Sequence, residues 1–419
     1  VFRGYLSLGG AELVNVSRLM AHANPVPSND LVLAGAQCSN ICHVDFIRYD
    51  DSWPGLPAYL GDGPYSITNA PWYDVDIPQS AEFLGIWVMK VDGDGPAPID
   101  RQVNDAICPG GIASPNRDTW RVLSFEALLI GCTNPGVEYG REWLACQMRA
   151  AKELNGTTLD FLSAHPENSS AVVTDLARTM NRVVLTKAVQ VESRFNIGSA
   201  QNRQGNKLTV TWEMAVLDPY TYGPATTGTV VWDTDVSESI TWAHAPDCQD
   251  PASCDDIPVL ASVECVPNVI DVTPAPPPVC AGCVPVCSVE TRTYQLPNAG
   301  GVFCHDQVYS FTITADPGND VSVNFWLRPC GMTDLCDRSN FLSLAGLPAG
   351  ETVMTDSIAG KVYGIVGGEQ IRQVGIVYTP SGAPWSSAVV DASECWELVA
   401  QHAPGLDFTV EFEVRGRSA

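Results

Sequence analysis

Three cysteines, Cys280-x2-Cys283-x3-Cys287, form the motif with the clearest chemical potential in this 419-residue chain. Thiolates two residues apart can share one tetrahedral metal ion, so the spacing raises a zinc site. A closed structural site needs a fourth ligand, and Cys265, Cys304 and His305 are the candidates within reach along the chain. Flanking prolines and the lack of an aromatic knuckle pattern weigh against zinc. Paired or free structural cysteines are the favoured reading, with no cofactor expected. Cys38–Cys42 and Cys330–Cys336 could each close a small loop. The total of 15 Cys is odd, so at least one has no partner within the chain.

Other chemistry is sparse. His22, His43, His165, His244, His305 and His402 form no H-E-x-x-H pair. There is no G-x-S-x-G elbow and no phosphate loop ending in Gly-Lys-Ser/Thr. Asp92-Gly93-Asp94-Gly95 looks like half a calcium loop but lacks the later Glu ligand, and reads as a turn. Asp50-Asp51, Asp74/Asp76 and Asp92/Asp94 are pairs that chance supplies among 48 acidic residues. No catalytic residue is assigned, and an enzyme is not expected.

Those 48 acidic residues face 23 Lys plus Arg, a formal net charge of −25. Such a chain repels nucleic acid, and no basic patch with interleaved aromatics stands out. Hydrophobic residues make up 45%, enough for a sizeable core. Apolar runs such as Ala127–Ile130 are far shorter than the roughly 20 residues that cross a bilayer, so no membrane insertion is expected. Val1–Tyr5 shows no signal-peptide pattern.

The elements that must carry these residues are mainly β with some α. Dense Gly/Pro punctuation marks residues 1–245 as one large domain or two intimately packed ones. Phe83–Val91 and Thr119–Ile130 read as strands, the second with Leu123, Phe125, Ala127 and Leu129 on one face. A helix near 135–154 is expected, with Asn134 as its cap, Pro135 at its first position and Trp143, Leu144, Gln147, Met148 and Ala151 as its buried stripe. Leu208–Leu217 alternates cleanly and suits a strand between a core and a second surface. Residues 246–290, rich in Cys and Pro, read as a linker. Residues 291–419 read as a β-sandwich or jelly roll, with alternating strands around Tyr309–Ile313, Val321–Leu327 and Phe408–Val414.

Several residue groups together carry a family resemblance. They are Trp53-Pro54-Gly55-Leu56, Gly61-Asp62-Gly63-Pro64-Tyr65, Ala70-Pro71-Trp72-Tyr73 and Glu82-Phe83-x3-Trp87. Cys132-Thr133-Asn134-x-Gly136-x-Glu138-Tyr139-Gly140 running into Trp143-Leu144 belongs with them, as do Ala200–Asn206, Trp212–Ala215, Gly382-Ala383-Pro384-Trp385 and Cys395. In this order they resemble minor tail proteins of actinobacterial siphophages, which are similar to the distal tail protein family. The resemblance covers most of the chain, and the linker least. It implies an N-terminal tube-like β-sandwich with a flanking helix and a C-terminal jelly-roll or galectin-like β-sandwich. It also implies a hexameric ring at the distal end of the tail in the virion, assembled in the host cytoplasm. The implied partners are the tail tube protein, the tape measure protein and other minor tail proteins. The long N-terminal domain and the Cys-rich linker depart from the compact family pattern.

The resulting expectation is a structural ring subunit that joins the tail tube to the host-recognition apparatus, with an acidic inner face that keeps DNA from sticking. The alternative is a carbohydrate-binding adhesin touching host cell-wall glycan. Trp326, Trp385 and Trp396 are the aromatic candidates for sugar stacking. Trp326 sits in a strand pattern and reads as core, whereas Trp385 follows a Gly/Pro turn and is the preferred glycan contact.

Overall fold

The computed structural model describes residues 2–23, 31–34, 43–49, 66–105, 111–164, 172–195, 205–239, 288–297, 306–332, 339–366, 369–372, 377–379, 385 and 387–418. The chain divides into two compact units, Val1–Pro224 with Ser418–Ala419, and Ala225–Arg417. The boundary therefore falls earlier than the expected 245. The reason is pairing: Thr226–Thr229 lies against Glu411–Val414, and Thr234–Ser239 against Ser288–Thr293. The expected linker 246–290 lies outside the described residues up to 287, and Ser288–Glu290 already stands in a strand.

In the first unit the principal strands are β1 (Phe2–Leu8), β2 (Ala11–Asn15), β3 (Phe83–Asp92), β4 (Arg121–Gly131), β5 (Thr157–Leu162), β6 (Ala177–Phe195) and β7 (Lys207–Val216). They pair antiparallel in the order β2-β1-β5-β6-β7-β4-β3. β1 and β2 also pack on β3, so the two ends of the curled sheet enclose a common core. Along β4, Leu123, Phe125, Ala127 and Leu129 are buried while their neighbours are half-buried, as the two-residue period requires. Phe125 and Trp212 face each other across β4 and β7 and stack at 5.0 Å. Such cross-strand aromatic pairs are where a sheet gains much of its side-chain stability.

Helix α1 (Val16–Ala23) begins at Asn15, whose Oδ1 accepts from the Arg18 N–H at 3.0 Å. The Arg18 side chain is buried and bonds Glu12 at 2.9 Å and the Asn69 carbonyl at 3.0 Å. A buried cation here is tolerated because its donors are met.

Helix α2 (Asn134–Gln147) starts one residue before the expected 135 and ends seven before the expected 154, with Met148 at its C-cap and Ala151 in a following 3-10 turn. Thr133, not Asn134, is the cap: its Oγ1 accepts from the Gly136 N–H at 3.1 Å. Asn134 and Pro135 occupy the first turn, and the Asn134 side chain donates instead to the Gly205 carbonyl at 2.8 Å. Trp143, Leu144, Met148 and Ala151 are buried as the stripe predicts.

The second unit is a β-sandwich. One sheet contains β9 (Thr234–Ser239), β10 (Ser288–Gln295), β12 (Val321–Pro329), β13 (Ser339–Leu347), β17 (Val377–Tyr378) and β19 (Trp396–His402), ordered β9-β10-β19-β12-β13-β17. The other is β8 (Thr226–Thr229), β11 (Asp306–Ala315), β14 (Thr352–Asp356), β15 (Lys361–Val366), β16 (Glu369–Arg372), β18 (Ala388–Asp391) and β20 (Phe408–Ser418). Its order is β8-β20-β11-β14-β15-β16, with β18 beside the first half of β11. Tyr309, Phe311, Ile313, Val321, Val323, Phe325, Phe408, Val410, Phe412 and Val414 all enter one core. A fully buried Val or Phe contributes about 1.5–3 kcal/mol, so this alternation is the main source of the unit's stability. Trp326 is buried, in line with its strand pattern.

His402 is the buried histidine of this unit among the described residues. Burial holds its imidazole below the usual histidine range, and its Nδ1 lies 2.8 Å from the Ala403 carbonyl. Phe408 stands edge-on to the ring, with Glu290 at 3.9 Å and Arg292 and Asp235 nearby. Above the free value of 6.5 the ring is neutral both folded and unfolded. Below it the unfolded chain takes up a proton that the buried ring resists, so stability falls as pH falls. Urea midpoints of the full chain should drop from pH 7.5 to 5.5. His402→Gln should flatten the part of that slope belonging to the second unit. An unchanged slope in the variant would contradict the assignment.

Candidate assembly surface

Of the resemblance groups, Ala70–Tyr73, Glu82–Phe83 and Cys132–Leu144 meet in one structural knot, whereas Trp53–Leu56, Gly61–Tyr65, Ala200–Gln204 and Gly382–Pro384 lie outside the described residues. The Gly136 and Gly140 Cα atoms face the chain at Glu82–Phe83: a Cβ at Gly136 would lie 2.7 Å from the Glu82 backbone, and one at Gly140 2.2 Å from the Phe83 ring. Trp72 packs edge-on to both Phe83 (5.1 Å) and Trp143 (5.6 Å). Its indole N–H donates to the Phe83 carbonyl at 3.0 Å, and the Tyr139 hydroxyl donates to the Trp72 carbonyl at 2.7 Å. The Thr133 hydroxyl donates to the Glu82 carboxylate, and the Cys132 N–H to the Glu82 carbonyl at 2.8 Å. These are packing and backbone-satisfying contacts. They lock α2 onto β3 and β4.

What the knot supports is the long strand β6, 19 residues from Ala177 to Phe195. One side pairs with β5 only as far as Val183. The other side runs with β7 from Val183 to Phe195. From 184 to 195, therefore, no strand among the described residues pairs along the β5 side. β7, by contrast, is paired along both edges, so of the two strands β6 is the one with an edge unpaired among the described residues. Arg194 near the end of β6 is tied to Glu138 of α2, which also binds Arg141 at 2.9 Å. Burial alone would raise the Glu138 carboxyl, but the two guanidiniums more than offset it and hold it below the usual range.

The β6–β7 span is also electrostatically unlike the rest of the chain. Residues 177–216 carry Arg178, Arg182, Lys187, Arg194, Arg203 and Lys207 against Glu192 and Glu213, a local net charge of +4 within a chain of −25. Whole-chain composition hides this; a windowed count of charge would have found it. A second unusual surface is the arm 93–120 between β3 and β4. Two short ladders build it, Ile99–Asp100 with Arg117–Asp118 and Val103–Asp105 with Gly111–Ala113. Ile99, Val103 and Trp120 on this arm are 65%, 68% and 57% exposed. Gly93 opens the arm at φ +87, where a Cβ would lie 1.9 Å from the Val122 carbonyl, so the Asp92–Gly95 turn requires glycine there.

Cys280, Cys283 and Cys287, with Cys265, Cys304 and His305, lie outside the described residues. Among the described residues no group of three or more His, Cys, Asp or Glu is placed to hold a metal ion. The expected Cys330–Cys336 loop is replaced by a disulfide between Cys330 and Cys395, 65 residues apart. The β12–β19 ladder brings these two together: Pro329 pairs with Trp396, and the Cys330 N–H donates to the Cys395 carbonyl at 2.9 Å. Trp385 is half-buried against the sandwich core, lining a small apolar void of about 20 Å³ with Phe311, Phe325 and Leu398. No described helix is long and apolar enough to cross a membrane.

No family model matches this chain, and no curated protein matches it. Among solved structures, it is similar to the SPP1 Dit (gp 19.1) protein, described as a hub adsorption apparatus of phages infecting Gram-positive bacteria. The identity is 12%, covering 81% of this chain and 96% of that one, at a TM-score of 0.42. It is also similar to chains of the phage P2 baseplate in its activated conformation with Ca and with Sr. Each is 8% identical over 82% of this chain and 92% of that chain, at a TM-score of 0.39.

Proposed function

We propose that this chain is a structural, non-catalytic subunit of the tail tip of a long-tailed bacteriophage, forming a hexameric ring that joins the tail tube to the host-recognition apparatus. The observation that carries the reading is the edge of β6 from 184 to 195, along which no described strand pairs on the β5 side, in a segment, 177–216, that is net positive within an acidic chain. Copies of net charge −25 repel one another at long range. Ring closure therefore needs a localised attractive contact. A strand edge unpaired among the described residues supplies one, because its N–H and C=O groups can be met by a strand of a neighbouring copy, and the net positive 177–216 segment lowers the repulsion there. Such a contact is heterologous, since the edge meets a different surface of the next copy, and a heterologous contact closes into a ring when the rotation between copies closes.

The motif residues support the same reading. They hold α2 against β3 and β4, and α2 in turn reaches β6 through Glu138 and Arg194, which suits a protein whose product is shape. The partners on this reading are the tail tube protein, the tape measure protein and other minor tail proteins, and the site is the distal end of the virion tail. Light scattering of the purified full chain tests it. A ring-sized oligomer that dissociates with rising salt is expected, because the contact is partly electrostatic. A monomer at every salt concentration and up to high protein concentration would contradict it.

A further inference from the structure

The second unit carries a polar groove of about 680 Å³ that the assembly reading does not use. We propose that it binds a neutral or amino-bearing saccharide, with Trp396, rather than Trp385, as the aromatic platform. The groove lies where the ends of β9, β10, β11 and β19 meet, and Trp396, Gln295, Gln307, Asp233, Glu394 and Glu397 line it. A pyranose ring has an apolar C–H face and a rim of hydroxyls. It is matched by an indole surface flanked by amide and carboxylate groups that both donate and accept.

Three features make this a built site. Gln307 at the floor is 3% exposed, and its side-chain amide lies 2.7 Å from the Tyr309 hydroxyl, which also reaches the Pro297 carbonyl at 2.8 Å, so the amide is held in place. The Trp396 loop is pinned: its indole N–H donates to the Asp391 carbonyl at 3.1 Å, and its own carbonyl accepts from Leu296 at 2.9 Å. The neighbouring Cys395 is held by the disulfide to Cys330. The wall opposite is set by Asp233, whose carboxylate accepts from the Gln295 N–H at 2.7 Å. A site ordered before its ligand arrives loses less entropy on binding.

Charge selects the class of sugar. No lysine or arginine lines the groove. The Glu397 carboxylate is matched by Arg328 at 2.5 Å, which leaves Asp233 and Glu394 exposed to the ligand. Uronates and phosphate-bearing glycans are repelled, and an amino sugar gains a charge-assisted partner.

The test is calorimetric titration of the full chain with chitotetraose, fully deacetylated chitotetraose, cellotetraose and a hyaluronan tetrasaccharide. At least one of the first three should bind, and the anionic hyaluronan should not. Glu394→Lys, at an exposed position, should keep the melting temperature and weaken the deacetylated sugar at least about tenfold, a difference of about 1.4 kcal/mol. Trp396→Leu should weaken every binding sugar by a similar factor. Absence of binding by all three up to about 10 mM, far above the millimolar constants typical of weak single-site recognition, would overturn the proposal. So would affinities unchanged in both variants, or preference for the anionic sugar. Oligomer size, read in parallel by light scattering, should be the same in both variants, so failure here is distinguishable from failure of the ring reading.

Discussion

Gly140→Leu is expected to abolish the folded first unit, and Gly140→Ala to destabilise it by about 1–3 kcal/mol, the usual range for overpacking a tight core. In an isolated helix the alanine would gain about 1 kcal/mol over glycine, so the expected sign is opposite to helix propensity. The reason is contact: the new Cβ would sit 2.2 Å from Phe83, a ring with no exposed surface that is wedged against Trp72 and Trp143. The ring has no free volume to enter, and β3 cannot retreat without breaking its ladder to β4. Urea unfolding followed by tryptophan fluorescence reads the effect directly, since two tryptophans border the site. Glu142→Ala, at an exposed position of the same helix, is the control and should change little. A Gly140→Ala protein as stable as the parent would show that α2 does not depend on this close approach.

The second large effect concerns assembly. In an antiparallel pair, alternate residues direct their N–H and C=O groups to the partner strand and away from it. Of the neighbours Gln190 and Val191, opposite Thr211 and Val210, one therefore faces β7 and the other faces the open edge. Proline removes the N–H at either position. One variant should lose stability by breaking the β6–β7 ladder. The other should keep its melting temperature but lose the oligomer, with an apparent association constant lower by at least about tenfold, or 1.4 kcal/mol per contact. Light scattering and thermal unfolding on both variants give the answer. If both remain fully oligomeric, the edge is not the contact. Ring contacts made elsewhere, for example through Ile99, Val103 and Trp120 of the arm, would then be the next surface to substitute.

Local pattern made the strands and the helix legible. The two-residue period at Leu123–Leu129 and Phe408–Val414 reports which face is buried whatever the partner strand is. The helix was legible from Pro135 and its apolar stripe, but its cap was not. Thr133 and Asn134 are both capable, and the choice turns on the position of the Gly205 carbonyl, about seventy residues away in the chain. Pairing at long range was equally hidden. Thr226–Ser239 looks like a continuation of the first unit until its partners near 290 and 413 are known. Cys330 looks nearest to Cys336 until the ladder places it beside Cys395.

The candidate surfaces follow the same division. The Trp residues were visible, but not which cavity each would border: Trp385 and Trp396 both pack partly against the core, Trp385 beside a small apolar void and Trp396 beside the polar groove. The open edge of β6 is a statement about a missing neighbour, and no local pattern records where a partner strand stops. Its charge was readable and was masked by the −25 of the whole. Of the resemblance motifs, Ala70–Tyr73, Glu82–Phe83 and Cys132–Leu144 marked the knot that holds α2 on β3 and β4, not the edge of β6.

The most direct test of the central claim is a symmetry-resolved electron cryomicroscopy map of the assembled full-length chain. The account predicts a closed six-fold ring whose subunit contact includes the 184–195 edge of β6. A monomeric particle, an open filament, or a ring in which that edge stays exposed to solvent would contradict it.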